Sequence, residues 1–272
     1  METKKDLFYR SWLLPFAAAT FAVAAAGCCG CGNSNEGPRE LRLMSYNIYH
    51  CQGADRKLDI ARTAEVIRRE NPDFVGLQEV DSKSKRSNGI DEAEEMGRIL
   101  GMHATYARTI PFQGGGYGIA MLSKEKPLSV ERIPLPGREP RMLLLCEFKD
   151  CWFCDTHLAL QTTNQLKSVE IIRKAVAARA GTKPVFLVGD WNADPKSKTL
   201  AAMREFMTIL SKENCRTFHG FKPYKPGSEY CIDYIAVDSA HAQKFAVRDA
   251  HIVEDTMTSD HFPVSVTIEE RR

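Results

Sequence analysis

The sequence predicts a fold of the α/β (α+β) class in which two β-sheets pack face to face and helices cover their outer sides. Short apolar runs typical of strands recur from residue 41 to residue 268. Helical periodicity is confined to a few segments scattered between these strands. No repeat and no change of composition divides the region, so we expect it to form one domain.

In the first half of this region, strands alternate with two helices. The first helix places Ile60, Ala64 and Ile67 on one face, and Asn71-Pro72 ends it because proline restricts the residue before it. Gly101 ends the second helix. The predicted order is strand 41–47, helix 58–70, strand 74–79, helix 91–100, and strands 103–110 and 118–123 on either side of Gly114-Gly-Gly116.

The second half begins with a predicted hairpin that turns at Lys149-Asp150. The helix that follows turns an apolar face inward, and we expect Gly181 to end it. The predicted order is strands 142–148 and 152–158, helix 165–178, strand 185–190, helix 199–207, and strands 231–237, 245–253 and 262–268.

Residues 1–27 have the pattern of a signal peptide of the lipoprotein type. Basic residues precede a short apolar run, which is too short for a comfortable membrane span. The run ends in Ala25-Ala26-Gly27-Cys28, which resembles a bacterial lipobox and implies cleavage before Cys28 and a lipid on its sulfur. A plain secretory signal cut nearby is the alternative.

This interpretation predicts an exported protein that is anchored by lipid at the periphery of a cell-envelope membrane, on its periplasmic or outer side. Residues 28–40 form a flexible, lipidated tether, and the folded domain covers residues 41–270. The composition, with 43% hydrophobic and 26% charged residues, is ordinary for a folded protein. The net charge of +2 excludes the overall basic field of a dedicated nucleic-acid binder but allows a local basic patch.

Six of the nine cysteines lie beyond the tether, and an oxidising compartment would allow some of them to pair. Cys151 and Cys154 have the spacing of a redox or zinc half-site. No second such motif and no histidine pair at zinc-finger spacing accompanies them, so structural zinc is not expected. In an apolar strand, both behave as small hydrophobic residues. The pairing of the cysteines stays open.

Polar side chains gather at the ends of the predicted strands. Strand interiors disfavour Asp and Asn, and a buried carboxylate needs a cation or strong donors. Because this pattern recurs in six clusters, a divalent metal acting in phosphate chemistry is the economical explanation. The clusters are Asn47, Glu79, Asp155 with His157, Asp190 with Asn192, Asp233, and Asp260 with His261.

Seven short motifs make a family resemblance specific, because they occur in a fixed order. They are Ser45-Tyr-Asn-Ile48, Leu77-Gln-Glu-Val80, Gly118-Ile-Ala-Met-Leu-Ser123, Asp155-Thr-His-Leu158, Gly189-Asp-Trp-Asn192, Ile232-Asp-Tyr-Ile235 and Ser259-Asp-His-Phe-Pro263. With these motifs the chain resembles the endonuclease/exonuclease/phosphatase superfamily over residues 41–268. That group includes pancreatic-type deoxyribonuclease, abasic-site endonuclease, neutral sphingomyelinase and inositol polyphosphate phosphatases.

The resemblance implies a four-layer sandwich of two packed mixed β-sheets flanked by helices, with metal-dependent hydrolysis of phosphate esters. It implies that Glu79 is the principal Mg²⁺ ligand, with Asn47 beside it and Asp260 at or near the metal. Oxygen ligands of this kind suit Mg²⁺, and Mn²⁺ is a possible substitute. Such a metal polarises a phosphoryl oxygen and neutralises developing charge.

The resemblance also implies roles for the catalytic residues. His261 would act on the attacking water, with Asp233 holding its other ring nitrogen. Asp190 and Asn192 would position the nucleophile and donate a hydrogen bond to the phosphate. His157 would protonate the leaving group or bind a phosphate oxygen. Which group is the general base and which the general acid stays open.

Other interpretations of single residues compete with these roles. His157 would also fit as a core histidine, Asp233 as a turn cap and Glu79 as a surface residue, and Asp194 fits a turn beside Pro195. Arg86 and Arg141 are candidate phosphate contacts, although a solvated arginine is commoner. His50 follows Asn47 closely enough to border the pocket.

The substrate is left open between nucleic acid and a lipid or small-molecule phosphodiester. Two departures from the family pattern, Cys231 in place of arginine and Ile119 in place of asparagine, affect the pocket walls rather than the metal residues. The only tight basic cluster near a motif is Lys83, Lys85 and Arg86. A lipid anchor would favour a sphingomyelinase-like or inositol-lipid activity. We expect a monomer, and a non-catalytic binding protein of the same fold is the remote alternative.

Overall fold

The computed structural model describes residues 39–225 and 230–271. The described residues form twelve β-strands and four α-helices. The strands are β1 (Glu40–Asn47), β2 (Phe74–Ser82), β3 (His103–Phe112), β4 (Gly115–Ser123), β5 (Ser129–Leu135), β6 (Arg141–Glu147), β7 (Trp152–His157), β8 (Val185–Asp190), β9 (Met207–Ile209), β10 (Asp233–Asp238), β11 (Phe245–Ile252) and β12 (Val264–Glu270). The helices are α1 (Ile60–Glu70), α2 (Glu92–Leu100), α3 (Thr162–Ala177) and α4 (Lys198–Arg204).

The strands form two six-stranded sheets. The order in sheet 1 is β11-β12-β1-β2-β4-β3, and the order in sheet 2 is β5-β6-β7-β8-β10-β9. Each sheet contains one parallel pair near its centre, β1 with β2 and β7 with β8, and every other pairing is antiparallel. Both sheets are therefore mixed, and in each the parallel pair is joined by a helix, as such pairs require.

Three hydrophobic cores separate four layers. Leu43, Phe153 and Phe186 belong to the core between the two sheets. A second core joins sheet 1 to α1 and α2, and a third joins sheet 2 to α3 and α4. The expected four-layer sandwich of two packed mixed sheets flanked by helices is confirmed. The inner strands are buried on both faces, which explains why their sequences appeared as continuous apolar runs.

The sequence missed two strands, β5 and β9, and both lie at edges of sheet 2. An edge strand pairs on one side only, and β5 is half exposed and carries Pro134, so neither strand gives a strong pattern. The helix predicted at 199–207 ends at Arg204, because Met207 already belongs to β9, where it pairs with Asp238 of β10.

Two predicted glycine roles were wrong. Helix α3 ends at Ala177 with Ala178 as its cap in a right-handed conformation, so Gly181 does not end it. Gly115 and Gly116 lie inside β4 instead of between strands. A side chain at Gly115 would lie 2.2 Å from the carbonyl oxygen of Ser82, so this strand needs glycine for close packing.

The predicted signal peptide (residues 1–27) and nearly all of the predicted tether (residues 28–40) lie outside the described residues, so they stay predictions. In the part of the chain that is described, no helix is long and apolar enough to cross a membrane.

Gly189 leaves no room for a side chain between β8 and β7. Its φ is +148°, and a Cβ there would lie 1.9 Å from the carbonyl oxygen of Thr156. An L side chain rarely adopts this backbone conformation, and the neighbouring atom belongs to a paired strand that cannot retreat.

We expect Gly189→Ala to lower the free energy of unfolding by at least about 2 kcal/mol, because strain and a backbone clash add. The matched control is Gly181→Ala, since a Cβ at Gly181 meets nothing within 4 Å. That control should change stability by no more than about 1 kcal/mol. Urea denaturation followed by circular dichroism measures both, and equal stabilities for the two variants would contradict the prediction.

Candidate active site

The cluster of polar residues is built where the parallel strands of both sheets end. Asn47 is the last residue of β1, His157 the last of β7, and Asp190 the last of β8. His157 stands opposite Asp190 in the parallel pair, and Asp233 stands opposite Asp190 in the antiparallel pair. Strand register alone therefore brings three of the predicted catalytic residues side by side.

Glu79 reaches this edge through a β-bulge. The register of β2 against β4 shifts between Gln78 and Val80, and Glu79 has a positive φ of 59°. The sequence predicted that β2 ends at Glu79, and that was wrong: the strand resumes after the bulge and continues to Ser82. A bulge redirects one side chain without ending the strand, and bulges are common beside active sites.

The Asp190 carboxylate is the centre of the cluster. Its Oδ2 accepts a hydrogen bond from Asn47 Nδ2 at 3.1 Å, and its Oδ1 accepts one from the backbone N–H of Asn192 at 2.9 Å. The Nε2 atoms of His157 and His261 lie 3.4 Å and 3.7 Å from Oδ2. Burial and the neighbouring Asp233 raise the pKa of Asp190, whereas His261 and the hydrogen bonds from Asn192 and Asn47 oppose the shift.

His157 is held by an arginine on its far side. Arg141 Nη1 lies 3.2 Å from Nδ1 of His157. Since a guanidinium can only donate, Nδ1 is the acceptor and the proton of the neutral ring lies on Nε2, facing Asp190. Burial, with Arg141 and His261 nearby, lowers the pKa of His157 well below its ordinary value. His157 is thus a neutral donor directed into the cleft, and Arg141 is buried instead of solvated.

His261 and Asp233 form a buried pair. Nδ1 of His261 lies 2.9 Å from Oδ2 of Asp233, and Nε2 lies 3.4 Å from Asn47 Nδ2. Burial lowers the pKa of His261, but the carboxylates of Asp233, Asp190 and Asp260 outweigh it and raise the value to about 10. The Phe218 ring packs against the imidazole at a centroid distance of 4.9 Å. Asp233 therefore fixes the orientation of the ring, with Nε2 facing Asp190.

Asn192 stands slightly apart from the other residues. The side-chain Nδ2 of Asn192 donates to the backbone carbonyl of Leu158 at 3.0 Å. The backbone carbonyl of Asn192 accepts from Gln165 Nε2 at 2.8 Å. Its positive φ of 49° suits asparagine. Asn192 contacts the cluster through its backbone N–H, which donates to Asp190. The neighbouring Asp194 accepts from the N–H of Lys196, as a turn residue does.

Two groups of residues could hold a metal ion. Ligand atoms of Asp190, Asp233 and His261 all lie within 4.8 Å of one another. The residues expected to bind metal, Asn47, Glu79 and Asp260, are in the same cleft, with Asn47 Nδ2 lying 3.3 Å from Glu79 Oε1. Burial is the main factor that raises the pKa of both Glu79 and Asp260, and His261 opposes both shifts. Asp260 raises the pKa of Glu79 further, and Asp233 raises that of Asp260 further.

The buried oxygens favour a cation in this cleft. Oδ1 of Asp260 and Oδ1 of Asp233 are both buried and have no hydrogen-bond partner among residues 39–225 and 230–271. A buried carboxylate oxygen without a donor is costly, and a hard cation is the ligand that compensates it. The carboxylate oxygens of Glu79 and Asp260 fit a divalent ion such as Mg²⁺. Asn47 presents its Nδ2 to Glu79 and would have to turn its amide to offer Oδ1 as a ligand.

A family model described as "Endonuclease/Exonuclease/phosphatase family" matches residues 44–261. The chain belongs to this family. Its members are phosphoesterase hydrolases, and the buried Asp190, Asp233 and His261 group agrees with their dependence on metal. No curated protein matches the sequence.

Solved structures of the family share the fold. The endonuclease/exonuclease/phosphatase from Beutenbergia cavernae is 22% identical, with 85% of this chain and 72% of that chain covered and a TM-score of 0.71. A mannosyl-6-phosphatase from Bacteroides thetaiotaomicron is 18% identical, with 84% and 99% covered and a TM-score of 0.66. The human Nocturnin catalytic domain with bound sulfate is 18% identical, with 86% and 94% covered and a TM-score of 0.63.

A buried pair beside the site was not predicted: Asp155 was grouped with the polar strand ends, but its side chain bonds to Gln78 of the other sheet. Gln78 Nε2 donates to Asp155 Oδ1 at 2.6 Å, joining sheet 1 to sheet 2 one residue before Glu79 and two residues before His157. A side chain on Gly76 would lie 2.8 Å from the same oxygen. The clue in the sequence is an amide and a carboxylate within two apolar strands, since each needs a partner once buried.

Two cysteines lie next to the site, and one of them, Cys231, is a departure from the family pattern. Sγ of Cys215 and Sγ of Cys231 are 3.5 Å apart, two residues before Asp233. Their hydrogen bond lowers the pKa of the Cys215 thiol, which favours the reactive thiolate. In contrast, Cys151 and Cys154 face different hydrophobic cores, and burial raises the pKa of both.

We expect Cys215 and Cys231 to form a disulfide with oxidised glutathione, because a small approach brings the sulfurs to bonding distance. Both thiols lose a proton, and the two electrons reduce glutathione disulfide to two thiols. Peptide mapping under non-reducing conditions should find the 215–231 crosslink, and Cys215→Ser should abolish it. A crosslink between Cys151 and Cys154 in the folded protein would contradict this.

Proposed function

We propose that this protein is an exported, lipid-anchored, metal-dependent phosphoesterase that hydrolyses phosphodiester or phosphomonoester bonds by attack of water. The observation that carries the proposal is the environment of Asp190, a buried carboxylate that faces Asn47, His157 and His261. A degenerate binding protein of the same fold would not need a buried cluster this costly, since each polar group requires compensation. Export and anchoring rest on the sequence of residues 1–28.

The metal site of the proposal consists of Glu79, Asn47 and Asp260. Glu79 projects from the bulge, and Asp260 offers a buried oxygen that has no donor among the described residues. Asn47 Oδ1 accepts the N–H of Tyr49 at 3.2 Å and keeps a second lone pair. Mg²⁺ held there, or Mn²⁺ in its place, would polarise a phosphoryl oxygen and neutralise developing charge.

The remaining residues bind the phosphate and handle protons. Asp190 would hold the attacking water, because its carboxylate is the acceptor at the centre of the cleft. His261 Nε2 would exchange a proton with that water while Asp233 stabilises the ring. The Nε2–H of His157 would donate to a phosphate oxygen or to the leaving oxygen. Asn192 would position Asp190 through its backbone N–H.

The proposal extends to which class of phosphate ester is the substrate. The lipid anchor argues for a lipid headgroup or another phosphodiester at the membrane, whereas the family also contains nucleases. The mannosyl-6-phosphatase among the similar structures supports a phosphomonoester as a second candidate. A panel assay with plasmid DNA, RNA, sphingomyelin, phosphoinositides, an aryl phosphodiester and mannose 6-phosphate separates these classes.

We expect hydrolysis to stop after exhaustive EDTA treatment and to return with Mg²⁺ or Mn²⁺. Glu79→Gln should weaken Mn²⁺ binding at least about tenfold, because an amide is a poorer ligand than a carboxylate for a hard cation. Mn²⁺ binding is measured by electron paramagnetic resonance, which does not depend on turnover. The control, Glu94→Gln, alters an exposed carboxylate of α2. Full activity in EDTA would contradict the proposal.

We expect His261 and Asp233 to act as one unit. His261→Ala and Asp233→Asn should each lower kcat by a similar factor, on the order of a thousandfold, because a mis-oriented imidazole is nearly as poor as none. The double variant should lose little beyond the worse single change. The measurement is a double-mutant cycle on kcat, with circular dichroism to confirm folding.

Two outcomes of the double-mutant cycle would contradict this prediction, and they lead to different conclusions. Losses that multiply would show that the two residues act independently. Normal activity in both single variants would locate the chemistry elsewhere in the protein.

A further inference from the structure

A pocket of about 200 Å³ lies beside Glu79 and is not used by the chemistry proposed above. Flat groups supply most of its walls: the rings of Tyr49, His50, Phe112 and Tyr117 and the guanidinium of Arg86. Because Glu79 also lines the pocket, a molecule bound there would extend directly from the phosphate site. The pocket is therefore placed to bind the part of the substrate beyond the reacting phosphate.

The planar guanidinium of Arg86 is held in one orientation in the pocket wall. Its Nε and Nη2 donate to the two oxygens of Asp81 at 2.7 Å and 2.9 Å, and Asp81 is completely buried. The guanidinium carbon lies 4.5 Å from the ring centroid of Phe112 and 5.6 Å from that of Tyr117. Aromatic rings and guanidinium planes held in this way are the surfaces on which flat ligands stack.

His50 adds a polar group that points to a ligand. Its side chain belongs to a residue with 6% exposure, and its Nδ1 has no hydrogen-bond partner in the described parts of the chain. Tyr49, His50 and Cys51 all have positive φ values, of 45°, 43° and 55°, in a turn two residues after Asn47. Non-glycine residues adopt this conformation at a cost, and such strain clusters at binding sites.

The charges of the lining residues argue against a second phosphate in this pocket. Arg86 is compensated by Asp81, and the nearby Arg141 is 3.2 Å from Glu139. Glu79 and Glu139 both line the pocket. A uniform excess of positive charge, which a second anionic group needs, is missing from these described lining residues. An uncharged flat ring with a polar edge fits better, because the walls offer stacking faces together with donors and acceptors.

We propose that this pocket binds a nucleobase, so that the substrate is a nucleotide ester whose phosphate lies between Glu79 and Asp190. The inference rests on the proposed phosphoesterase function and names its substrate class. The base stacks on the wall formed by Arg86, Phe112 and Tyr117. A small turn of the His50 ring would bring its Nδ1, which is buried and unpartnered in the described parts of the chain, to the polar edge of the base. This reading separates a nucleotide ester from an inositol-lipid headgroup, which carries charge instead of a flat ring.

The test compares a dithymidine phosphodiester with the same compound lacking one base. The full-length protein with Mg²⁺ should prefer the complete dinucleotide in kcat/KM, chiefly through KM. Phe112→Leu should reduce that preference roughly tenfold, because it removes a ring on which the base stacks. His50→Asn should also reduce it, because it removes the imidazole that bonds to the edge of the base. Asparagine tolerates the positive φ at residue 50. Leu128→Ala, an exposed apolar residue outside the pocket, is the control and should keep the preference.

Equilibrium binding separates failure of the pocket from failure of the phosphoesterase. Calorimetry in EDTA should show thymidine 5′-monophosphate binding more tightly than ribose 5-phosphate, with the difference reduced in Phe112→Leu. Base-dependent binding without hydrolysis of any ester would retain the pocket and overturn the phosphoesterase. Hydrolysis with no preference for the base, or a lipid phosphodiester preferred over the dinucleotide, would overturn the nucleobase pocket alone.

Discussion

A single buried carboxylate, that of Asp190, is the interaction on which the rest of the site depends. A charge removed from water needs several donors, and this one takes them from both halves of the molecule. Asn47 reaches it from sheet 1, whereas Asn192 and His157 reach it from sheet 2. The packing of the two sheets is therefore also the assembly of the site. A shift of one sheet against the other would break the hydrogen bond from Asn47, which is the one of these contacts that joins the two sheets.

Departures from ordinary strand geometry cluster around this carboxylate. Gly189 precedes it in a conformation that suits glycine, Asn192 follows it with a positive φ, and Glu79 enters from a bulge. The left-handed turn after Asn47 belongs to the same group. Glycine and asparagine tolerate these conformations, whereas the positive φ values at Glu79 and in the turn after Asn47 cost energy. Three cores of close-packed residues hold the surrounding strands in place. The fold thus supplies a rigid frame, and the strained positions direct functional groups out of it.

Much of this arrangement was predictable from sequence, and the exceptions share a cause. The inner strands are mainly apolar, so their positions and the meeting of polar groups at their ends followed from local pattern. The edge strands β5 and β9 lack that pattern because they are only half enclosed. The bulge at Glu79 and the bond between Gln78 and Asp155 depend on register between strands and between sheets. Local sequence does not encode such long-range register, so neither could be predicted.

The pairing of β12 with β1 has a consequence for how the chain acquires its structure. β1 contains residues 40–47 and pairs on one side with β12, which contains residues 264–270. Because β12 is the last strand of sheet 1 in chain order, one edge of β1 stays open until that strand has been placed. Asp260 and His261 directly precede β12, so the closing of sheet 1 and the completion of the site are one event. Such long-range pairing slows folding, and until it forms, the open edge of β1 can pair with other chains.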